Sequence, residues 1–362
     1  MIRQELVDDE KWITPEKFNR VLAVYQVLPG PEAHELCVYF GMIARGRIGA
    51  LLAGLGFMLP GFLLMFALSW FYVTYGITSP TFQSVFLGMQ PAVAALIIRA
   101  VHRIGSHALH QNKWLWLIAI LAGIAQLLDI NFLITLLTCG FIYTFVQRGQ
   151  TRLAFALILV SVFSIIYFAF NISLQPQANI NAEVVATNSP NSLILLISGL
   201  RAGLLTFGGA YTAIPFIQHD AVEIGKWMTN AQFLDGLALS GLLPAPLIIF
   251  STFVGYLGGG AIGAILMTIG VFAPAFSFTI IGHDYLERLI ENKSAHAFLD
   301  GITAGVVGLI SATALGILAE TITNIPAFII FSLALLILFI SKSKWTIAGV
   351  VLGAGLIGFI IL

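Results

Sequence analysis

Residues 199–246 read GLRAGLLTFGGAYTAIPFIQHDAVEIGKWMTNAQFLDGLALSGLLPAP. An apolar segment carrying one cation, Arg201, reaches Thr206-Phe207-Gly208-Gly209-Ala210-Tyr211 and breaks at Pro215. A polar loop with Asp220, Glu223, Lys226 and Trp227 follows, and a second apolar segment breaks at Pro244-Ala245-Pro246. Such segments are poor continuous helices, because glycine is conformationally loose and proline lacks the N–H. In lipid, broken backbone survives only where protein or a water-filled cavity satisfies it. Secondary transporters build substrate sites from such breaks near mid-membrane.

The rest of the chain fits that setting. Of 362 residues, 59% are hydrophobic and only 9% charged, and the mean hydropathy is +0.96. Soluble domains carry about 25% charged residues, so the expected class is an all-α polytopic membrane protein. Seventeen basic residues balance seventeen acidic ones, which gives nucleic acid no electrostatic footing. Cys37 and Cys139 both lie in apolar surroundings and read as buried thiols. The amino terminus, MIRQELVDDEKWITPEKFNR, is polar and lacks the pattern of a signal peptide.

Apolar segments long enough to span roughly 30 Å of hydrocarbon lie at about 21–42, 49–77, 84–103, 114–130, 131–147 and 153–171. An asparagine-rich connector, 173–191, leads to others at about 192–215, 232–257, 261–283, 295–319, 325–341 and 345–362. That makes roughly twelve transmembrane or broken helices. Arg45 and Arg47, Arg103 and Lys113, Arg148 and Arg152, Arg288 and Lys293, and Lys342 and Lys344 occupy alternate loops. With these loops cytoplasmic, the expectation is 1–20 outside, 216–231 inside and the carboxyl terminus outside.

A shift of 215 residues superposes the chain on itself. Lys11-Trp12 falls on Lys226-Trp227, Thr14 on Thr229 and Phe18 on Phe233, and Leu28-Pro29-Gly30-Pro31 falls on Leu243-Pro244-Ala245-Pro246. After a one-residue slip, Gly41, Gly46, Gly49 and Pro60 meet Gly255, Gly260, Gly263 and Pro274. A weaker echo sets Ala92–Ile97 against Gly305–Ile310. Seven predicted crossings separate the two Lys-Trp loops, so the halves are expected to be inverted repeats, 1–172 and 192–362, joined by the connector. Met1 aligns with Phe216, which leaves Thr206–Gly209 without a counterpart. The expectations are a misassigned start, a naturally short chain or a fragment.

Leu28-Pro-Gly-Pro-Glu-Ala33, Phe207-Gly-Gly-Ala-Tyr211, Trp227-Met-Thr229, Phe233-Leu-Asp-Gly-Leu-Ala-Leu239 and Leu243-Pro-Ala-Pro246 resemble motifs of the chromate ion transporter family. The resemblance covers both repeats. It implies a multi-pass inner-membrane protein that exports chromate under the proton motive force, with antiparallel halves and thirteen helices in all. The sequence departs from that pattern in lacking the first half's Phe-Gly-Gly-Pro helix. Some similar proteins carry an anion that is not known.

Chromate is a tetrahedral dianion, and holding it in low dielectric needs cations, helix N-termini or clustered N–H groups. The candidate binding residues are Pro29, Gly30, Pro31, Phe207, Gly208, Gly209, Tyr211, Ser240, Pro244, Pro246 and Arg201. The glycines and prolines alternatively only kink or pack helices. Arg201 alternatively snorkels to an interface or pairs with an acid such as Asp235. Glu32, His34, Glu35 and Asp235 are the candidate proton-coupling groups, since loss of hydration makes a carboxylate's charge costly; Glu32 and Glu35 alternatively sit in a solvated vestibule, and His34 is alternatively a satisfied polar residue. Asp235 and Asp300 also read as helix caps, Arg99 as snorkelling, and Trp12 and Trp227 as interface anchors. His102, His107 and His110 read as solvated surface, so no metal is expected. With no Walker A, HExxH, GxSxG or paired CxxC motif, no cofactor and no enzyme chemistry are implied. The reading is a secondary transporter of chromate or a related oxyanion in the lipid bilayer, with a homodimer as one possible assembly. The rivals are the same fold moving another anion and a truncated, non-transporting membrane protein.

Overall fold

The computed structural model describes residues 4–25, 28–77, 79–109, 112–174, 190–207, 209–291, 293–341, 343 and 345–361. Gly208, His110 and most of the 173–191 connector lie outside them. Among the described residues the fold is helical throughout. In chain order the helices are α1 Pro15–Tyr25, α2 Glu32–Phe71, α3 Pro80–Ala108, α4 Lys113–Leu127, α5 Phe132–Gln147, α6 Thr151–Leu174 and α7 Ser192–Leu204. They continue as α8 Ile214–Gln218, α9 Asn230–Leu242, α10 Phe250–Glu291, α11 Lys293–Thr321, α12 Ile325–Ile340 and α13 Thr346–Ile361. Among the described residues, five stretches are long and apolar enough to cross a bilayer: Glu32–Gly76, Pro80–Ala108, Thr151–Phe170, Leu247–Gly282 and Ser294–Thr321.

The repeat is visible in the backbone. α2 bends at Arg45-Gly46 and α10 at Gly259-Gly260, each with the glycine at φ +58°. Beyond the bend each helix folds back on itself so tightly that only glycine fits. A Cβ on Gly41 would lie 2.4 Å from the Gly49 carbonyl oxygen, and one on Gly255 2.4 Å from that of Gly263. Lys11 and Lys226 both have φ 49°. A single π turn precedes each, at Gln4–Asp9 and His219–Ile224, and α3 and α11 both run for 29 residues.

The proline-broken segments, however, do not cross. In an unbroken helix Phe18 and Phe40 would be roughly 33 Å apart, yet their rings stack with centroids 5.8 Å apart. Phe233 and Phe250, roughly 25 Å apart in a straight helix, meet at 5.5 Å. Ser198 donates to Asp220 at 2.7 Å across a third break. The segments expected to span at 21–42, 192–215 and 232–257 are therefore helical hairpins. Among the described residues their tips lie at 28–31, at 205–207 with Gly209, and at 243–246. Proline and glycine end the helix at each tip, and the chain returns because its apolar faces are buried against the partner arm instead of across the bilayer.

This corrects the orientation. A Cβ on Gly258 would lie 2.9 Å from Leu195 and 3.0 Å from Trp227, so the start of α7, the Lys226-Trp227 loop and the bend of α10 share one end of the bundle. Trp12 packs on Phe40, with centroids 6.3 Å apart, which sets the Lys11-Trp12 loop beside the basic bend Arg45–Arg47. Five spans separate the two loops: the second arm of α2, then α3, α4, α5 and α6. Five is odd, as seven was, so the loops still face opposite ends. Their assignment to the two ends is exchanged: 1–20 belongs to the basic end and 216–231 to the other. Arg148 donating to Ser294 at 2.9 Å marks the basic end, and Asn230 bonded to Glu320 marks the opposite one. Cysteines placed at Lys11 and Arg45 are expected to react with an impermeant maleimide from one face, and a cysteine at Lys226 only from the other. Labelling of all three from one face would remove the inverted arrangement.

Candidate functional site

The three hairpin tips meet. Gly30 N–H donates to the Thr206 carbonyl at 2.8 Å, joining the first tip to the second. The turn Ala210–Ala213 packs against the turn Leu247–Ile249, joining the second to the third. The second arm of α2 closes in from the side, where a Cβ on Gly61 would lie 2.7 Å from the Ala245 Cβ. Thr212 pins the second tip by accepting from Phe207 N–H at 3.1 Å and donating to the Gly209 carbonyl at 2.7 Å. Ser240 does the same for the third, donating to the Leu247 carbonyl at 2.9 Å.

Each tip ends where a helical stretch begins and runs away from the centre. α2 starts after Pro31, the continuous stretch from Ala210 through α8 to Ile224 starts after Gly209, and the stretch from Leu247 into α10 starts after Pro246. None of these starts has a side-chain cap. Elsewhere Asn112, Asn131, Asn191, Thr229 and Asn324 cap α4, α5, α7, α9 and α12 with side-chain oxygens, while the start of α3 at Ser79 is uncapped too. The first N–H groups of a helix have no intrahelical partner, and the N-terminal end carries partial positive charge. Three uncapped starts turned towards one place thus supply donors and positive potential without a mobile cation. Gly209 has φ +132° and nothing within 4 Å of where its Cβ would be, so the second tip borders open space. Pro29, Tyr211 and Pro246 are partly exposed there, and Pro244 is exposed.

Behind the first tip lies a polar pair sealed in apolar packing. Glu35 and His34 are 0% exposed. The Glu35 carboxylate folds over Gly30, whose Cβ would come within 2.4 Å of Oε1, and neither carboxylate oxygen has a hydrogen-bond partner. The His34 ring lies edge-on between Phe272 at 4.8 Å and Phe276 at 4.7 Å, both on α10 of the other repeat. Neither ring nitrogen has a hydrogen-bond partner among the described residues. Glu32, half-buried, is close enough to Glu35 for their charges to repel.

Other sequence candidates are placed differently. Asp235 caps nothing: Thr229 caps α9 in a box with Gln232, while Asp235 is buried, accepting from Tyr72 Oη at 2.7 Å and Gln90 Nε2 at 3.0 Å. It ties α9 to the turn just past α2, which Tyr72 opens, and to α3. Arg201 pairs with Asp220, not Asp235, and stacks its guanidinium 5.0 Å from the Phe132 ring centre. Asp300 lies inside α11 instead of at its start. Trp227 is buried, 4% exposed, against Gly225 and Gly258 and so is no interface anchor, whereas Trp12 is exposed. Sequence reasoning missed Asp220, Ser198, Phe132, Thr206 and Thr212. Asp220 was legible as an acid beside an apolar helix, but its partner was not. Beyond Arg201, the non-basic end gathers Asp129, His219, Glu223 and Glu320. Burial and the nearby Glu223 hold the Asp129 carboxyl above its ordinary range. Among the described residues no cluster suited to a metal ion occurs.

Residues 1–144 and 193–359 match the family described as chromate transporter. A chromate transport protein of Pseudomonas aeruginosa is 52% identical over 365 residues, covering 100% of this chain and 86% of that protein. A chromate transport protein of Cupriavidus metallidurans is 27% identical over 99% of this chain and 86% of its own length. A probable chromate transport protein of Synechococcus elongatus is 26% identical over 92% and 83%. No solved structure matches the chain.

Proposed function

The chain belongs to the chromate transporter family, and from that premise we propose that it is a secondary transporter exporting chromate across the inner membrane, driven by protons. The observation that carries the reading is the meeting of three uncapped helix starts at the hairpin tips, joined by the Gly30–Thr206 hydrogen bond. A tetrahedral dianion is matched there by backbone donors and helix dipoles. Pro29, Gly30, Pro31, Phe207, Gly209, Tyr211, Pro244 and Pro246 frame this site, and Gly208, between Phe207 and Gly209 in sequence, lies outside the described residues. Ser240 and Arg201 support it by holding hairpin arms in place.

Glu35 and His34 are the coupling groups in this reading. A carboxylate sealed without a cation or donor is expensive in low dielectric, so exposing and resealing it obliges a proton to travel with the hairpin. Glu32, half-buried just outside, relays the proton. Asp235, already holding two donors, keeps its hairpin docked. Alternating access follows from two repeats rocking about tips that touch through few bonds, with 1–172 and 192–362 as the moving halves.

Inside-out vesicles test this directly. Chromate uptake is expected to follow an imposed proton gradient, to collapse with a protonophore and to be competed by sulfate, since backbone donors select geometry and charge more than element. Uptake no greater than in vesicles lacking the protein would remove the reading. Uptake of sulfate without chromate would favour another oxyanion at the same site.

A further inference from the structure

By sequence Arg99 reads as a helix-end cation reaching for water. The structure places it deeper. α3 ends at Ala108, so Arg99 lies about 13 Å inside the basic end at 1.5 Å per residue. One turn earlier Leu96 packs on α9, where a Cβ on Gly241 would lie 3.9 Å from the Leu96 Cδ1. That sets Leu96, one turn before Arg99, against α9 just short of the third tip. Arg103 follows on the same face, one turn nearer the basic end. Both guanidiniums lie within electrostatic reach of Tyr211 on the second tip. Arg99 is half-buried and Arg103 exposed. Among the described residues neither side chain has a carboxylate or hydrogen-bond partner, in contrast to Arg201 with Asp220.

The second repeat has no equivalent. The register that matches Ala92–Ile97 with Gly305–Ile310 puts Ala312 and Gly316 opposite Arg99 and Arg103. The non-basic end instead gathers Asp129, Asp220, Glu223 and Glu320. Beside the tips α3 thus presents two arginines without a carboxylate partner among the described residues, although the same end of the bundle also carries the acids of 1–20 and the other end also carries Lys226. A cationic approach raises the local concentration of an anion and speeds its entry, while an acidic one repels it.

We propose that Arg99 and Arg103 are binding residues that load the dianion onto the hairpin tips from the basic end of the bundle. The inference rests on the tip site proposed above and adds the face of entry. Arginine suits the task, because its planar donors grip an oxyanion in pairs and its charge persists at any physiological pH. With the basic loops cytoplasmic, loading from this face is the direction export requires.

The test uses the full chain in proteoliposomes of defined orientation, with chromate as the probe. For entry from the basic face, Arg99→Gln is expected to raise KM about tenfold or more, with Vmax little changed. Arg103→Gln should raise it less, and Arg99→Lys should restore most of the loss. Entry from the opposite face should keep its KM. A second readout is the rise in unfolding temperature that chromate produces in detergent, expected in the wild type and reduced in Arg99→Gln at an unchanged ligand-free midpoint. An unchanged KM, or a fall in Vmax alone, overturns the role of Arg99 and leaves the tip site standing. A wild type that neither moves chromate nor is stabilised by it overturns the tip site and this inference together.

Discussion

Glutamine at position 35 is expected to uncouple transport from the proton. Glu35 is buried against Gly30, with both oxygens unpartnered, at the joint where the first tip bonds Thr206. Glutamine keeps the shape and removes the titrating proton. Proton-driven chromate accumulation should fall at least about tenfold, the scale of a coupling free energy near 1.4 kcal/mol, while chromate–chromate exchange across the same vesicles persists. Loss of both activities, with the protein still inserted, would mean that Glu35 builds the site rather than energises it. Full accumulation in the variant would move the coupling role to His34 or Glu32.

The second large effect is at Arg201. Removing the arginine leaves Asp220, 7% exposed, as an uncompensated buried charge, and breaking such a pair costs about 3–5 kcal/mol. Arg201→Gln is therefore expected to lower the amount of folded protein sharply and to abolish transport. Asp220→Asn in the same chain removes the stranded charge, and Ser198 can still bond the amide. The double variant is expected to regain folded protein and most of its transport. A well-folded double variant that stays inactive would show that Arg201 grips the anion itself, so the comparison separates a strut from a binding residue.

These two experiments divide along the line between what was legible in the chain and what was not. Pro29–Pro31, Gly209 and Pro244–Pro246 announce where helices stop, because a missing N–H and a positive φ are properties of single residues. The Lys11-Trp12 and Lys226-Trp227 pairs and the matched glycines announce a repeat, and the same φ values recur at both members. Glu35 was legible as a carboxylate in an apolar run. That it would lie under Gly30 was not.

The sequence by itself determined the class, the repeat and the places where the helices break, since hydropathy and backbone stereochemistry are local. Only the tertiary structure decided what the chain does after each break. A helix that stops at proline can resume across the bilayer or fold back, and the choice depends on which neighbour buries its apolar face. Phe40 took Phe18, Phe250 took Phe233 and Asp220 took Arg201, and none of these pairings is written in spacing. The same holds for Arg99, a helix-end cation by position, which follows Leu96 by one turn where the fold sets Leu96 against α9 near the third tip.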